Sequence, residues 1–194
     1  MKRDIVLAGV GGQGVLSVGE LIARSALVEG LAVKQGEVHG MAQRGGAVQA
    51  FLRLADRPIS SDLVPEATAD LILSMEPLEG LRYLRYLAPD GVVVTATEPV
   101  RNVPDYPDSE KLLARIAALP HSLLVDARRL AEQAGSTRAV NVVMVGAVLH
   151  LLPIAAATVE QQVRRAFGRH GERMVEVNLR ALAAGREAVA CLTH

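Results

Sequence analysis

Glycines near the start of the chain have the spacing of a phosphate-binding turn. Gly9, Gly11 and Gly14 fit the G-x-G-x-x-G pattern, with Gly12 and Gln13 between them. A strand that enters a helix through such a turn leaves backbone N–H groups unpaired at the positive end of the helix dipole, so the turn can bind an anion. The alternative is that the glycines only permit a tight junction between a strand and a helix.

A dinucleotide site also needs an acidic side chain for the ribose, at the end of the second strand and about twenty residues further on. Glu29 falls inside the predicted first helix, and Glu37 comes after the predicted second strand, Leu31–Gln35. This placement argues against a nicotinamide site, although a free-standing dinucleotide- or flavin-binding oxidoreductase stays open as an alternative.

A second group of polar residues and glycines follows the second predicted strand. It contains His39, Gln43, Arg44, Gly45 and Gly46. The loops after the first two strands of an open α/β sheet lie at the same edge, so we predict that this loop and the glycine turn face one crevice. Arg44 is suited to hold a phosphate or carboxylate, and the glycine pair permits close backbone approach. An ordinary loop with a solvated arginine is the alternative.

The remaining candidate residues have structural explanations. Asn141 lies near a helix start, which predicts a cap, with a place in the site as the alternative. We predict that Gly146 permits close helix packing, that His121 and His150 are structural, and that Cys191 is inert. The sequence pairs no nucleophile with an adjacent base and has no metal-ligand spacing, so we assign neither a catalytic residue nor a metal to this chain.

The elements that position these residues alternate along the chain. The predicted strands are Ile5–Gly9, Leu31–Gln35, Ala47–Leu54, Ala69–Ser74, Val92–Thr95 and His121–Val125. The predicted helices are Val15 to about Glu29, Met75–Leu87, Ser109–Leu119, Asp126–Ala134, Ala139–Leu151, Thr158–Phe167 and Glu172–Val189. Residues 96–110 contain three prolines, and we predict that this segment forms a surface excursion or an arm toward a partner. Thr158 and Gln161 fit a capping box.

This alternation predicts an α/β fold. We expect a Rossmann-like, three-layer structure with an open, mostly parallel sheet, helices on both faces and a helical C-terminal region. Ala47–Leu54 follows the second strand without an intervening helix, so it is expected to be the antiparallel exception. We expect residues 1–194 to form a single domain.

The composition of the chain argues against two classes of partner, nucleic acids and membranes. Half of the 194 residues are hydrophobic and the formal net charge is zero, which argues against a nucleic-acid binder. No apolar run reaches the roughly 20 residues that span a bilayer, and the N-terminus lacks a cleavable signal pattern, so we expect a cytoplasmic protein that does not enter a membrane. The single cysteine cannot supply a zinc or iron–sulfur ligand set within this chain.

The two glycine-containing loops together resemble the gamma-type domain of the 2-oxoacid:ferredoxin oxidoreductases. The turn 9–16 resembles the opening signature of that family, and Asn141–Gly146 resembles the start of one of its late helices. The run 37–46 resembles the form found in the beta subunits of the indolepyruvate:ferredoxin oxidoreductase branch. The resemblance covers essentially the whole chain.

The resemblance implies a subunit that is inactive alone and binds no cofactor by itself. In this family a partner alpha subunit carries thiamine diphosphate and iron–sulfur clusters. An indolepyruvate-like aryl 2-oxoacid is oxidatively decarboxylated, electrons pass to ferredoxin, and coenzyme A takes the acyl group. The resemblance further implies that Gly11, Gly12, Gln13 and Gly14 face an anionic group or the partner chain.

On the same resemblance, His39, Gln43 and Arg44 approach the active-site cleft. Two further interpretations stay open at this point. The isolated subunit is able to form a homodimer through its exposed interface, or the chain is a regulatory or assembly domain that keeps the family surface without the catalytic role.

Overall fold

Six strands form one mixed sheet in the computed structural model, which describes residues 1–39 and 45–190 with all side chains except those of Val38, His39 and Ala190. The strands are β1 (Lys2–Val10), β2 (Ala32–His39), β3 (Ala47–Ala55), β4 (Ala69–Ser74), β5 (Leu87–Ala96) and β6 (Ser122–Val125). Their order across the sheet is β2-β3-β1-β4-β5-β6.

Strand direction follows the prediction. β1, β4, β5 and β6 pair in parallel, whereas β3 runs antiparallel to both β1 and β2. The predicted α/β fold and the antiparallel exception are therefore confirmed. The position of β3 between β1 and β2 was not predicted, and it separates two strands that adjoin in a dinucleotide-binding sheet.

Helices cover both faces of this sheet. They are α1 (Val15–Val28), α2 (Pro77–Arg82), α3 (Ser109–Ala117), α4 (Ala127–Ala134), α5 (Val140–Val148), α6 (Ala156–Phe167) and α7 (Glu172–Ala190). Side chains alternate along β1, so Ile5 and Leu7 pack in the larger core with α1, α5, α6 and α7. Val6 and Ala8 face the opposite, smaller core, which Ile116 of α3 completes. None of the helices in these ranges is long and apolar enough to cross a membrane.

The central helix α5 is buried on all sides. Val142 through Val148 are all buried, as expected for a helix that is apolar around its whole circumference. Gly146 lets α7 approach closely, because a Cβ at this position would lie 2.1 Å from the carbonyl oxygen of Leu182. The predicted packing role of Gly146 is confirmed.

Several predicted element boundaries are wrong. β2 extends to residue 39, so Glu37 lies inside the strand and not after it. β5 begins at Leu87 and not at Val92, and the predicted helix 75–87 is shortened to α2 and one 3₁₀ turn, Leu84–Tyr86. Residues 89–91 lie where the β4–β5 register shifts, which accommodates the proline and glycine inside a strand.

The predicted capping box at Thr158 is also wrong. The N-cap of α6 is Ala155, which makes no side-chain cap hydrogen bond. Glu29, just after α1, supplies the cap from a distance in sequence. Its carboxylate accepts a hydrogen bond from the Ala155 N–H at 3.2 Å and another from the Thr158 hydroxyl. The end of α1 and the start of α6 are therefore adjacent, and the two helices run antiparallel.

Candidate functional site

The glycine turn joins β1 to α1 at the carboxyl end of the parallel strands. Gly12 and Gly14 have φ values of +103° and +76°, a region that favours glycine. Gly14 is the N-cap residue of α1, and no side chain among the described residues caps this helix. The first-turn N–H groups of α1 therefore keep the anion-binding character that the motif predicts.

The second glycine loop lies directly against this turn. The Gly11 N–H donates to the Gly46 carbonyl at 2.8 Å, and the Gly45 N–H donates to the Gly11 carbonyl at 3.3 Å. These bonds extend the β1–β3 pairing beyond Val10 and Ala47. Because both backbone groups of Gly11 are bonded inside the protein, the donors left to face an anion are those of Gly12, Gly14 and the first turn of α1.

Gln13 fastens the turn to the neighbouring strand. Its Oε1 accepts a hydrogen bond from the Val10 N–H at 2.7 Å, and its Nε2 donates to the Met75 carbonyl at 2.9 Å. Met75 directly follows β4. The side chain of Gln13 therefore joins the carboxyl ends of β1 and β4 and holds the shape of the turn.

We expect Gln13→Leu to lower the free energy of unfolding by about 1–3 kcal/mol, because it leaves a part-buried N–H and a carbonyl without their partner. Urea unfolding followed by circular dichroism measures this loss. Gln133→Leu, at an exposed position of α4, is the matched control. Equal stability of the two variants would show that Gln13 does not hold the turn.

Glu76 lies just after β4, at the same edge of the sheet as the glycine turn. Its carboxylate is 1% exposed, and it caps α2 by accepting the Glu79 N–H at 2.9 Å. The same carboxylate accepts the Tyr106 hydroxyl and the Val100 N–H. These contacts fasten the segment between β5 and α3 to the end of β4.

That segment, residues 97–108, also reaches the second glycine loop. The Asn102 side-chain amide donates to the Gly45 carbonyl at 2.8 Å. The predicted surface excursion therefore folds back over the carboxyl edge of the sheet. Large apolar side chains are exposed in both segments, Leu16 at 37% directly after the glycine turn and Val103 at 40% next to Asn102.

The surroundings of Tyr106 keep its hydroxyl protonated. Burial, followed by the hydrogen bond to Glu76, raises the pKa of Tyr106, so its hydroxyl stays a donor at neutral pH. Burial also raises the pKa of Glu79, and the neighbouring Arg82 guanidinium, 3.2 Å from its Oε1, opposes that shift. The Tyr106 hydroxyl and the Glu79 Oε1 are thus engaged in contacts within the fold, whereas the Glu79 Oε2 is buried without a partner among the described residues.

Sequence reasoning missed Glu76, Asn102 and Tyr106. One signal could have found Glu76: it follows a buried strand and precedes a proline at a helix start, so the strand-end rule places it at the same edge as the glycine turn. Asn102 and Tyr106 have no local signal, because their partners lie 57 and 30 residues away in sequence.

Asn141 lies against the glycine turn from the other side. The N-cap of α5 is Ala139, so the predicted capping role of Asn141 is wrong. A Cβ at Gly14 would lie 3.4 Å from the Asn141 Nδ2, and the Asn141 Oδ1 accepts the Val142 N–H at 3.0 Å. The starts of α1 and α5 therefore meet at this corner.

Several predicted residues lie outside the described part of the chain. These are Gln43, Arg44, Cys191 and the side chain of His39, so their predicted roles stay predictions. Among residues 1–39 and 45–190, no three His, Cys, Asp or Glu side chains form a group that could hold a metal ion.

The order of the strands in the sheet argues against the alternative of a dinucleotide-binding site. β3 separates β2 from β1, which places β2 about 10 Å from β1, or two strand spacings. Glu37 is exposed on β2, where it accepts a hydrogen bond from Gln35 at 2.9 Å. Glu37 therefore does not lie beside the glycine turn, where a dinucleotide site holds its ribose-binding acid.

The fold is that of a Rossmann-like α/β domain. Its glycine turn, at the carboxyl edge of the sheet, is suited to binding an anion. Near this edge, the hydroxyls of Ser74 and Thr95 donate to the backbone carbonyls of Glu76 and Ala96 and not to a side-chain base. The chain belongs to the pyruvate ferredoxin/flavodoxin oxidoreductase family, which residues 4–188 match. The resemblance of the two loops to this family is thereby confirmed.

Relatives share nearly the full length of the chain. The indolepyruvate oxidoreductase subunit IorB of Archaeoglobus fulgidus is 36% identical over 194 residues, covering 95% of this chain and 94% of the relative. The subunit of the same name from Pyrococcus horikoshii is 38% identical and covers 96% of each chain.

A solved structure has the same fold. It is the 2-oxoglutarate:ferredoxin oxidoreductase of Magnetococcus marinus with 2-oxoglutarate, coenzyme A and succinyl-CoA bound, which superimposes with a TM-score of 0.78 at 21% identity. It covers 98% of this chain, whereas this chain corresponds to 31% of that longer one.

Proposed function

We propose that this chain is the non-thiamine-binding subunit of an indolepyruvate (aryl pyruvate):ferredoxin oxidoreductase. The observation that carries the proposal is the identity of 36–38% to indolepyruvate oxidoreductase subunits along almost the whole of both chains. Oxidative decarboxylation of the 2-oxoacid to an acyl-CoA, with ferredoxin as electron acceptor, would then belong to the complex with an alpha subunit.

The residues present support a division of labour between the subunits. This chain has one cysteine and no metal-holding group among its described residues, so its donor set does not fit an iron–sulfur cluster. On this proposal the alpha subunit holds thiamine diphosphate and the clusters, which supply decarboxylation and electron transfer. The present chain helps to bind and orient the substrate, and it excludes water from one side of the active site.

The carboxyl edge of the sheet is the surface that we assign to this task. Gly12, Gly14 and the first turn of α1 present backbone donors to an anionic group or to the partner chain. Leu16 and Val103 add exposed apolar area beside them, as an interface requires. His39, Gln43 and Arg44 are proposed to approach the active-site cleft and its coenzyme A side from the second loop.

Co-expression with a thiamine-binding alpha subunit from the same genome tests the assembly. We expect the two chains to co-purify and to reduce a viologen dye only when indolepyruvate and coenzyme A are both present. The alpha subunit purified alone is the control. A folded alpha subunit that neither binds this chain nor gains activity from it would refute the proposal.

In that complex, we expect Arg44→Ala to lower kcat/KM roughly ten- to a hundredfold, the effect of losing one charge-assisted hydrogen bond to an anionic ligand. The unfolding midpoint of this chain should not change. Arg57→Ala is the matched control, because Arg57 is exposed in the turn after β3, at the opposite edge of the sheet. Equal kinetics of the two variants would remove Arg44 from the site.

A further inference from the structure

A cleft of about 460 Å³ lies outside the glycine turn, between α1, α5 and α6. Its volume is in the range of small-molecule sites. Polar groups form the larger part of its lining, and apolar side chains from the three helices form the rest, including Val18, Leu21, Val145 and the half-buried ring of Phe167. The cleft therefore suits a polar molecule with an apolar part about the size of one or two rings.

One end of the cleft is cationic. Arg165, in the last turn of α6, and Arg169, in the following 3₁₀ turn, both line it. Within residues 1–39 and 45–190, neither arginine pairs with a carboxylate, and the Arg169 Nε donates a hydrogen bond to the His170 ring at 3.1 Å. A third arginine on α1, Arg24, is paired with Glu20 at 2.7 Å. The lining therefore carries two positive charges that no acidic group of the described chain balances.

Gln162 gives an independent indication of a ligand. It lines the cleft and is only 5% exposed, yet its side-chain Nε2 has no hydrogen-bond partner in the described structure. A buried amide without a partner costs about 1–3 kcal/mol, which a polar group on a bound molecule would offset.

From these three features we propose that the cleft binds a small organic anion, with its apolar body on the α1–α5 wall, its charged group at Arg165 and Arg169, and a polar edge at Gln162. A carboxylate and a phosphate ester share this chemistry, because an arginine fork accepts either group. The proposal concerns this chain alone and does not depend on assembly with an alpha subunit.

The arginines near the end of α6 have one other explanation, which is that they stabilise the helix itself. A comparison of Arg164 with Arg165 separates this explanation from ligand binding. Cations at a helix C-terminus interact favourably with the helix dipole whether or not a ligand binds. Arg164 shares the last turn of α6 and is exposed, but it does not line the cleft. Arg164→Gln and Arg165→Gln therefore change the charge and the dipole interaction alike, and only the second alters the cleft.

Calorimetric titration of the full chain with indole-3-acetate, adenosine 5′-monophosphate and neutral indole tests the proposal. We expect at least one of the two anions to bind saturably at one site with a Kd in the millimolar range or below, and indole about tenfold more weakly. The comparison of the two anions identifies whether a carboxylate or a phosphate is preferred. Failure of both anions to saturate, or equal binding of indole, would overturn the proposal.

The variants then locate the site. Arg165→Gln should weaken anion binding about tenfold, whereas Arg164→Gln should change it less than twofold. Gln162→Leu should weaken binding and, in the absence of ligand, raise the unfolding midpoint, because it replaces an unpartnered buried amide with an apolar side chain. Equal effects of the two arginine variants would mean non-specific attraction, and unchanged affinity in Gln162→Leu would refute the role of the amide.

Discussion

Replacing Gly146 with alanine is expected to lower the free energy of unfolding by about 3 kcal/mol or more, at or beyond the upper end of the usual cost of overpacking. The added Cβ would lie 2.1 Å from the Leu182 carbonyl oxygen and about 3 Å from two further backbone atoms of α7. Backbone cannot rotate away as a flexible side chain does, so α5 and α7 must separate.

The contact is reciprocal, which gives a second test of the same geometry. A Cβ at Gly185 of α7 would lie 2.0 Å from the Val143 carbonyl oxygen. Gly185→Ala should therefore destabilise the chain by a similar amount. Because both variants force the same separation of the helices, the double variant should cost less than the sum of the two single losses.

Thermal unfolding followed by circular dichroism measures these losses, and about 3 kcal/mol corresponds to a decrease in Tm of roughly 6–12 °C for a chain of this size. Gly168→Ala is the control, because Gly168 has helical backbone angles and nothing lies within 4 Å of the position of its Cβ. It should be neutral or stabilise slightly, by up to about 1 kcal/mol. A Gly146→Ala chain as stable as Gly168→Ala would contradict the described α5–α7 packing.

Local sequence patterns predicted the features that depend on a single strand, helix or turn. Continuous apolar runs predicted β1 and β4, and the helix predicted to end at Ala134 does so, because Gly135 follows with a φ of +111°. The glycine spacing placed the turn between β1 and α1. In each case, the burial or the backbone angle that the pattern requires belongs to that same segment.

Features that depend on distant segments were not predictable in this way. The order of strands in the sheet is decided by which edges pair, and nothing within Ala47–Ala55 indicates that β3 lies between β1 and β2. The same holds for the cap of α6, where Glu29 replaces the local capping box of Thr158. It also holds for Asn102, which bonds Gly45 across the carboxyl edge. Each partner is identified only once the chain has folded.

At the amino edge of the sheet, one ion pair is expected to contribute as much as the α5–α7 contact. Asp4 of β1 has no exposed surface, and its carboxylate is held by Arg53 of β3 through two bonds, Nε to Oδ1 at 2.8 Å and Nη2 to Oδ2 at 3.1 Å. The Arg53 Nη1 also donates to the Ser61 and Leu63 carbonyls at 3.1 and 2.9 Å. Arg53 therefore joins two strands and the loop that follows β3.

We expect Arg53→Met to lower the free energy of unfolding by about 3–5 kcal/mol, because it leaves the buried Asp4 carboxylate with Lys2 as its remaining cationic partner. Urea unfolding of the single variants and of Asp4→Leu/Arg53→Met measures the coupling. The double variant should recover part of the loss, since an apolar pair needs no compensation of charge. Arg57→Met, at an exposed position nearby, should change stability by less than about 0.5 kcal/mol. If Arg53→Met costs no more than Arg57→Met, the pair does not hold β1 to β3, and the cohesion of this edge comes from the backbone ladder alone.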